Sequence, residues 1–220
     1  MTITENSETV ACVHDSLARA YTAVGRVFLE IPTAELLSSA ESDLASIRGD
    51  IRHVPPELVA GIDRLRDAMS ESLADIRTDY ARLFAGVKKL PAPPWESCYL
   101  SGKRQVCTQI TESVRLAYLE ACLCQEPSEA QPDDHIGLEL QFLGAMSKHM
   151  ADALGAGDSA LADVAAAQRT AFITEHVSRW VPAFSAELEG AAETEFYRSL
   201  ARLTADLTNY EMEGTTKCLD

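Results

Sequence analysis

Apolar residues recur along this chain at steps of three and four, the period of a helix with one buried face. Leu17, Tyr21, Val24, Phe28 and Ile31 form the first such stripe; Pro32 ends it, and Thr33 can cap the next helix. Ile62, Leu65, Met69, Leu73, Ile76, Tyr80 and Leu83 read as one long stripe, preceded by Pro55-Pro56. Val114, Ala117, Tyr118 and Ala121 give another. Leu138, Phe142, Ala145 and His149 continue a helix that begins near Asp134, and Gly155-Ala156-Gly157 breaks the pattern. Phe172, His176, Trp180 and Phe184 repeat every fourth residue, although Pro182 should kink or split that segment. Phe196, Leu200, Leu203, Leu207 and Tyr210 make the last helix. No alternating run suits a strand, and no repeat of solenoid period occurs. The pattern predicts an all-α fold: a single multi-helix globular domain over residues 1–220 with one long proline-rich connector. The ends, before about Val10 and after about Glu211, are expected to fray.

Two segments depart from this plain periodicity. In Tyr80–Leu100 a helical pattern stops at Gly86 and gives way to an elbow holding Pro91, Pro93, Pro94, Trp95, Glu96 and Tyr99. Prolines fix the backbone and remove donors, so the elbow is pre-shaped. A large aromatic beside a carboxylate suits a recognition surface; the plainer alternative is a connector whose Trp95 plugs the core. The second segment is Pro132-Asp133-Asp134-His135, a strong helix start with Asp133 or Asp134 as cap. Glu139 lies one turn beyond His135 on the same face. Alone, this segment reads as a well-capped helix with His135 at its rim.

Charge narrows the partners. The chain has 19 basic and 34 acidic residues, a formal charge of −15. That argues against nucleic acid and anionic membrane, which need a basic patch, and favours a cationic partner. The cysteines at 12, 98, 107, 122, 124 and 218 form no Cys-x-x-Cys pair, so reduced thiols fit better than a disulfide framework or zinc site. The polar, acidic start has no basic head and no apolar run, and no stretch is long enough to span a bilayer. The expected location is cytoplasmic.

Enzyme chemistry is thin. No phosphate loop is present, since Gly102-Lys103 is followed by Arg104 and lacks the earlier glycine. No Ser-His-Asp arrangement can be assembled. His135 and Glu139 stand at metal-ligand spacing, but no second pair completes a coordination sphere, so neither metal nor cofactor is expected. His149 and His176 lie on apolar faces and read as core or interhelical hydrogen-bonding residues.

Taken together, Arg82-Leu83-Phe84 with Gly86, Pro93-Pro94-Trp95-Glu96-Ser97 with Tyr99, and Pro132-Asp133-Asp134-His135 with Glu139-Leu140 resemble the TorD/DmsD family. Phe172, His176, Trp180, Pro182 and Phe184, then Phe196-Tyr197 and Leu200-Ala201, extend the resemblance, which covers roughly Tyr80 to Asn209. The family usually has proline soon after the glycine; here Val87-Lys88-Lys89 follow Gly86, placing lysines near a site meant for arginines. The resemblance implies an all-helical cytoplasmic chaperone of molybdenum-cofactor reductases, with members that form domain-swapped dimers and have been linked to weak nucleotide binding. It also implies a site for a twin-arginine signal peptide. There Glu96, Asp133, Asp134 and Glu139 would hold guanidiniums, and Trp95 and Tyr99 would offer aromatic faces. Leu83, Phe84 and Pro94 would line a groove for the leader's apolar run. His135 would donate to a peptide carbonyl or orient Asp134, and Arg82 would pin the elbow through an internal carboxylate.

The expected function is therefore a non-enzymatic chaperone that holds the leader, and the body, of one molybdopterin-dependent oxidoreductase until its cofactor is inserted. Two alternatives stand beside it: a metal- or nucleotide-dependent helical enzyme centred on His135, and a helical adaptor without a leader site.

Overall fold

The structure is a computed structural model, which describes residues 3–47, 54–86, 89–123 and 131–217. Ten α-helices occur among them. They are α1 Ile3–Leu29, α2 Ala34–Ile47, α3 Pro56–Ala68, α4 Leu73–Phe84, α5 Glu96–Leu100, α6 Gln109–Glu120, α7 Ile136–Gly155, α8 Ser159–Phe172, α9 Ser178–Ala191 and α10 Glu195–Lys217. A π-helical turn, Ile173–Val177, joins α8 to α9. No strand occurs among the described residues; the β pairing present is an isolated bridge, Trp95 to His135. Lys88, Cys124 and Cys218 lie outside the described residues.

Helix boundaries follow local chemistry. Thr33 Oγ1 accepts from Leu36 N–H at 3.1 Å, the cap expected from its place after Pro32. Thr108 and Thr111 form a reciprocal capping box at the start of α6. Gly157, at φ +75°, follows the end of α7 where an L side chain would be strained. The stripe that reads as one helix from Ile62 to Leu83 is two, because Ser70-Glu71-Ser72 turns the chain between α3 and α4. Both helices put their apolar faces on the same core, so their periodicities join across the turn. The break expected at Pro182 is also displaced. Pro182 sits early in α9, and the irregularity falls in the π turn just before that helix. Helix is assigned as far out as Ile3 and Lys217, beyond the expected limits near Val10 and Glu211.

The core is one connected cluster fed by all the longer helices except α8's outer face. Trp180, Tyr21, Tyr197, Phe28, Phe172, Phe184 and Phe196 are its largest fully buried side chains. The most intimate pair is α1 on α7. A Cβ on Gly137 would meet the Gly25 carbonyl oxygen at 2.6 Å, and one on Gly25 would meet the Gly137 carbonyl at 2.6 Å. Glycine at both positions lets the backbones touch, and this crossing fixes the first turn of α7. His149, expected on an apolar face, is exposed on α7 instead.

Candidate functional site

The proline elbow and the start of α7 are stitched together by backbone. Glu96 N–H donates to the Asp134 carbonyl at 2.9 Å, and Ile136 N–H donates to the Pro94 carbonyl at 2.8 Å, bracketing the Trp95–His135 bridge. Pro93 and Pro94 are buried and offer no donors of their own, so the Pro94 carbonyl, not an N–H, makes this backbone contact. Side chains complete the stitch. Asp134 Oδ2 accepts from Ser97 N–H at 2.9 Å, and Tyr118 OH donates to the Asp133 carbonyl at 2.9 Å. The cap of α7 is His135, whose Nδ1 accepts from Gly137 N–H at 3.0 Å; it is not Asp133 or Asp134. Asp134 is drawn away from capping because Ser97 lies across the stitch. An accepting Nδ1 requires neutral imidazole, and burial pushes the His135 pKa down to about 3.

Behind the stitch lies a buried polar cluster. Glu96, Asp134 and Glu139 are each 0% exposed. Glu96 meets His176 Nδ1 at 2.9 Å, and Glu139 Oε2 accepts from Trp180 Nε1 at 3.0 Å. Burial and the nearby Glu96 and Asp134 hold the Glu139 pKa well above the ordinary carboxyl range, against the lowering effect of the Trp180 hydrogen bond. The Tyr118 hydroxyl is likewise pushed far up by burial and by the surrounding carboxylates. Several polar atoms here have no hydrogen-bond partner: Trp95 Nε1, Ser97 Oγ, Asp134 Oδ1 and Glu139 Oε1.

This arrangement sorts the residues singled out from sequence. Glu96, Asp134, His135 and Glu139 are brought together, but facing inward. Leu83 is 0% exposed in the core, and Phe84 packs edge-on against Phe28, Tyr80 and Tyr197. Trp95 is half-buried at the surface of the elbow, edge-on to His135 with 5.9 Å between ring centroids. Tyr99 is half-buried too; its ring lies on Trp180 and Phe184, and its OH donates to Glu187 at 3.1 Å. Asp133 is half-buried. Burial raises its pKa, countered by the charge of Arg115, with Asp134 and Glu112 adding to the rise. His176 is the interhelical hydrogen-bonding residue its position suggested. Arg82 does bind an internal carboxylate, Asp79, but it pins α4 to the Ala191 carbonyl at the end of α9, not to the elbow.

Sequence reasoning missed three contributors. Tyr118 and Ser97 act through the stitch, which joins residues 37 apart in the chain. Arg104 lies 5.8 Å from the Tyr99 ring and pairs with Glu187. Its loop carries no periodic signal, although Gly102 marks it as a turn. Beside the elbow this loop encloses an open cleft of about 620 Å³, lined by Lys89, Leu90, Pro93, Trp95, Arg104 and Val106 among others. No group of three His, Cys, Asp or Glu side chains suited to a metal ion occurs among the described residues, and no described helix is long and apolar enough to cross a membrane.

An all-helical chain whose proline-tryptophan elbow is stitched to an aspartate-histidine helix start defines the class. A family model described as nitrate reductase delta subunit matches residues 52–186, and the chain belongs to this family, with relatives that are TorD and DmsD proteins. A Haemophilus influenzae protein assigned as a Tat proofreading chaperone, DmsD, is 27% identical over 59% of this chain and 57% of its own length. A Vibrio parahaemolyticus chaperone protein TorD is 25% identical over 66% of each chain, so these two alignments leave a third or more of each relative unmatched. A Shewanella loihica chaperone protein TorD is 23% identical over 90% of this chain and 92% of its own. The same fold occurs in a solved structure from Archaeoglobus fulgidus described as a candidate redox enzyme maturation protein. Its TM-score is 0.54 at 18% identity, over 84% of this chain and 90% of that one.

Proposed function

We propose that this chain is a cytoplasmic, non-enzymatic chaperone of redox enzyme maturation, which binds the twin-arginine leader of a molybdopterin-dependent oxidoreductase until cofactor insertion is complete. The observation that carries this reading is the relationship to proteins named as chaperones along as much as 90% of the chain. The stitched elbow supports a place for the leader, since Trp95 is the large aromatic that the elbow leaves half-exposed.

Burial divides the proposed site residues into two roles. Asp133, half-buried near Arg115 and Glu112, is the carboxylate among these residues left near the surface to meet a guanidinium. Trp95 and the open edge of Tyr99 offer aromatic faces. Glu96, Asp134, His135 and Glu139 are positioning residues that hold the elbow against α7. Leu83 and Phe84 shape α4 and the core beneath, and Pro94 sets the elbow's register through its carbonyl.

The test is capture of the protein from its native cytoplasm, followed by calorimetry. A reductase precursor should be enriched, and its leader should bind more weakly when both arginines are replaced by lysine. Lysine keeps the charge but loses the planar fork. Equal binding of the two leaders, or no precursor in the captured fraction, would sink the reading.

A further inference from the structure

The cleft beside the elbow has the wrong charge for arginines. Lys89 and Arg104 are the charged residues in its lining, in a chain of formal charge −15. Like charges brought together at a binding surface repel, so a leader's arginine pair is disfavoured there. Leu90, Pro93 and Val106 give the cleft apolar walls, and Val106 is 43% exposed. Trp95 Nε1 is a buried donor without a hydrogen-bond partner, and its ring lines the same cleft. Arg104 is held by Glu187 on one nitrogen and by the Tyr99 face, which leaves other guanidinium donors unused. The loop that presents it is strained. Arg104 at φ +49° and Cys107 at φ +58° occupy the left-handed region, which disfavours residues that carry a side chain. A volume of about 620 Å³ lies in the range of pockets that hold a small ligand, room for one or two side chains.

We infer that this cleft is a second peptide site, separate from the arginine-reading rim, which takes a segment of the client polypeptide carrying a carboxylate side chain next to an apolar one. Lys89 and Arg104 meet the carboxylate, and the apolar side chain lies against Leu90, Pro93 and Val106. From the chaperone reading this takes only that the partner is a polypeptide.

The experiment follows Trp95 fluorescence, against the constant background of fully buried Trp180, in the full chain. The probes are a capped Ala-Leu-Asp-Leu-Ala peptide, its Asn and Lys counterparts in place of Asp, inorganic phosphate, and a twin-arginine leader. The Asp peptide should bind about 10-fold more tightly than the Asn peptide, and the Lys peptide should not bind. Lys89→Glu should weaken the Asp peptide by about 10-fold and leave the Asn and leader peptides within about two-fold. Lys89 is exposed, so this variant should unfold at the same denaturant concentration as the parent, which the same samples can report. The assignment is overturned by equal binding of Asp and Lys peptides, by displacement of the Asp peptide by equimolar phosphate, or by competition between the Asp and leader peptides. Loss of the leader signal with the Asp signal intact would remove the chaperone reading and still support the cleft.

Discussion

Two buried acidic regions of this protein are built in opposite ways. At the turn between α9 and α10, Asp79 is saturated. Its Oδ2 accepts from Glu193 N–H at 2.9 Å, Thr194 N–H at 2.8 Å and Thr194 OH at 2.8 Å, and its Oδ1 takes Arg82. Burial alone would raise the Asp79 pKa; the hydrogen bonds from Thr194, Arg82 and Glu193 outweigh it and hold the pKa below the ordinary value. At the elbow, Glu96, Asp134 and Glu139 crowd together with His176 and Trp180, and oxygen atoms of Asp134 and Glu139 go unpartnered. There the Glu139 pKa goes up instead of down. The first region is a staple that closes two helices onto α4. The second gives its carboxyls fewer protein donors, so burial and the neighbouring carboxyls prevail at Glu139.

The largest expected effect tests the staple. Asp79→Ala should destabilise the fold by about 3 to 4 kcal/mol, since it strips a charged acceptor from three donors and leaves Arg82 without its buried partner. Urea unfolding measures this; a loss under about 1 kcal/mol would put Asp79 among ordinary surface carboxylates.

Gly137→Ala should cost about 2 kcal/mol, because the new methyl would overlap the Gly25 carbonyl at 2.6 Å and force α1 from α7. The shift should also loosen the stitch, read as a change in Trp95 fluorescence. A stabilised variant, as expected for Gly→Ala in an unhindered helix, would mean that the crossing is slack.

Acid should loosen the elbow before it frees the staple. His135 is neutral in the fold, with its pKa pushed down to about 3, while an unfolded histidine titrates near the usual 6.5. The unfolded chain therefore takes up the proton first. The stability that His135 contributes is complete above about pH 6.5 and is lost as pH falls toward its folded pKa, by about 2 kcal/mol at pH 5. The contribution of Asp79 is present above the ordinary aspartate range and is lost only as pH falls through its lowered folded pKa. His135→Asn, which keeps a capping acceptor, should flatten the stability profile between pH 7 and 5; an unchanged slope would show that His135 does not set it.

The smallest effect belongs to Glu139→Gln. Glu139 lies near Glu96 with its raised pKa favouring the proton-bearing form, so a neutral isostere should change stability by less than about 1 kcal/mol near pH 4, where the unfolded carboxyl is also largely protonated. It should also remove the part of stability that is lost as pH rises through the raised pKa. Comparable losses for Glu139→Gln and Asp79→Ala would erase the contrast between the two regions.

Much of this contrast was illegible in the chain, for reasons of distance. Helices could be read because their apolar periodicity is local, as Phe196 through Leu207 shows, and the elbow because prolines fix backbone wherever they occur. Pairings such as Ser97 with Asp134 and Asp79 with Thr194, 37 and 115 residues apart, leave no local trace. Carboxylates at Glu96, Asp134 and Glu139 suggested an outward cradle because acidic side chains are rarely buried unless paired. Nothing local shows that His176 and Trp180 supply those partners from the far side of the core.

The most direct measurement is calorimetric titration of a twin-arginine leader into the protein and into Trp95→Ala, with denaturant unfolding of both. The half-buried indole should act as an anchor for the ligand more than as a plug for the core. The variant should therefore bind about 30-fold more weakly, a loss of about 2 kcal/mol, while its unfolding free energy falls by less than that. Unchanged leader binding by the folded variant, together with a stability loss of several kcal/mol, would contradict the assignment of the elbow as the leader site.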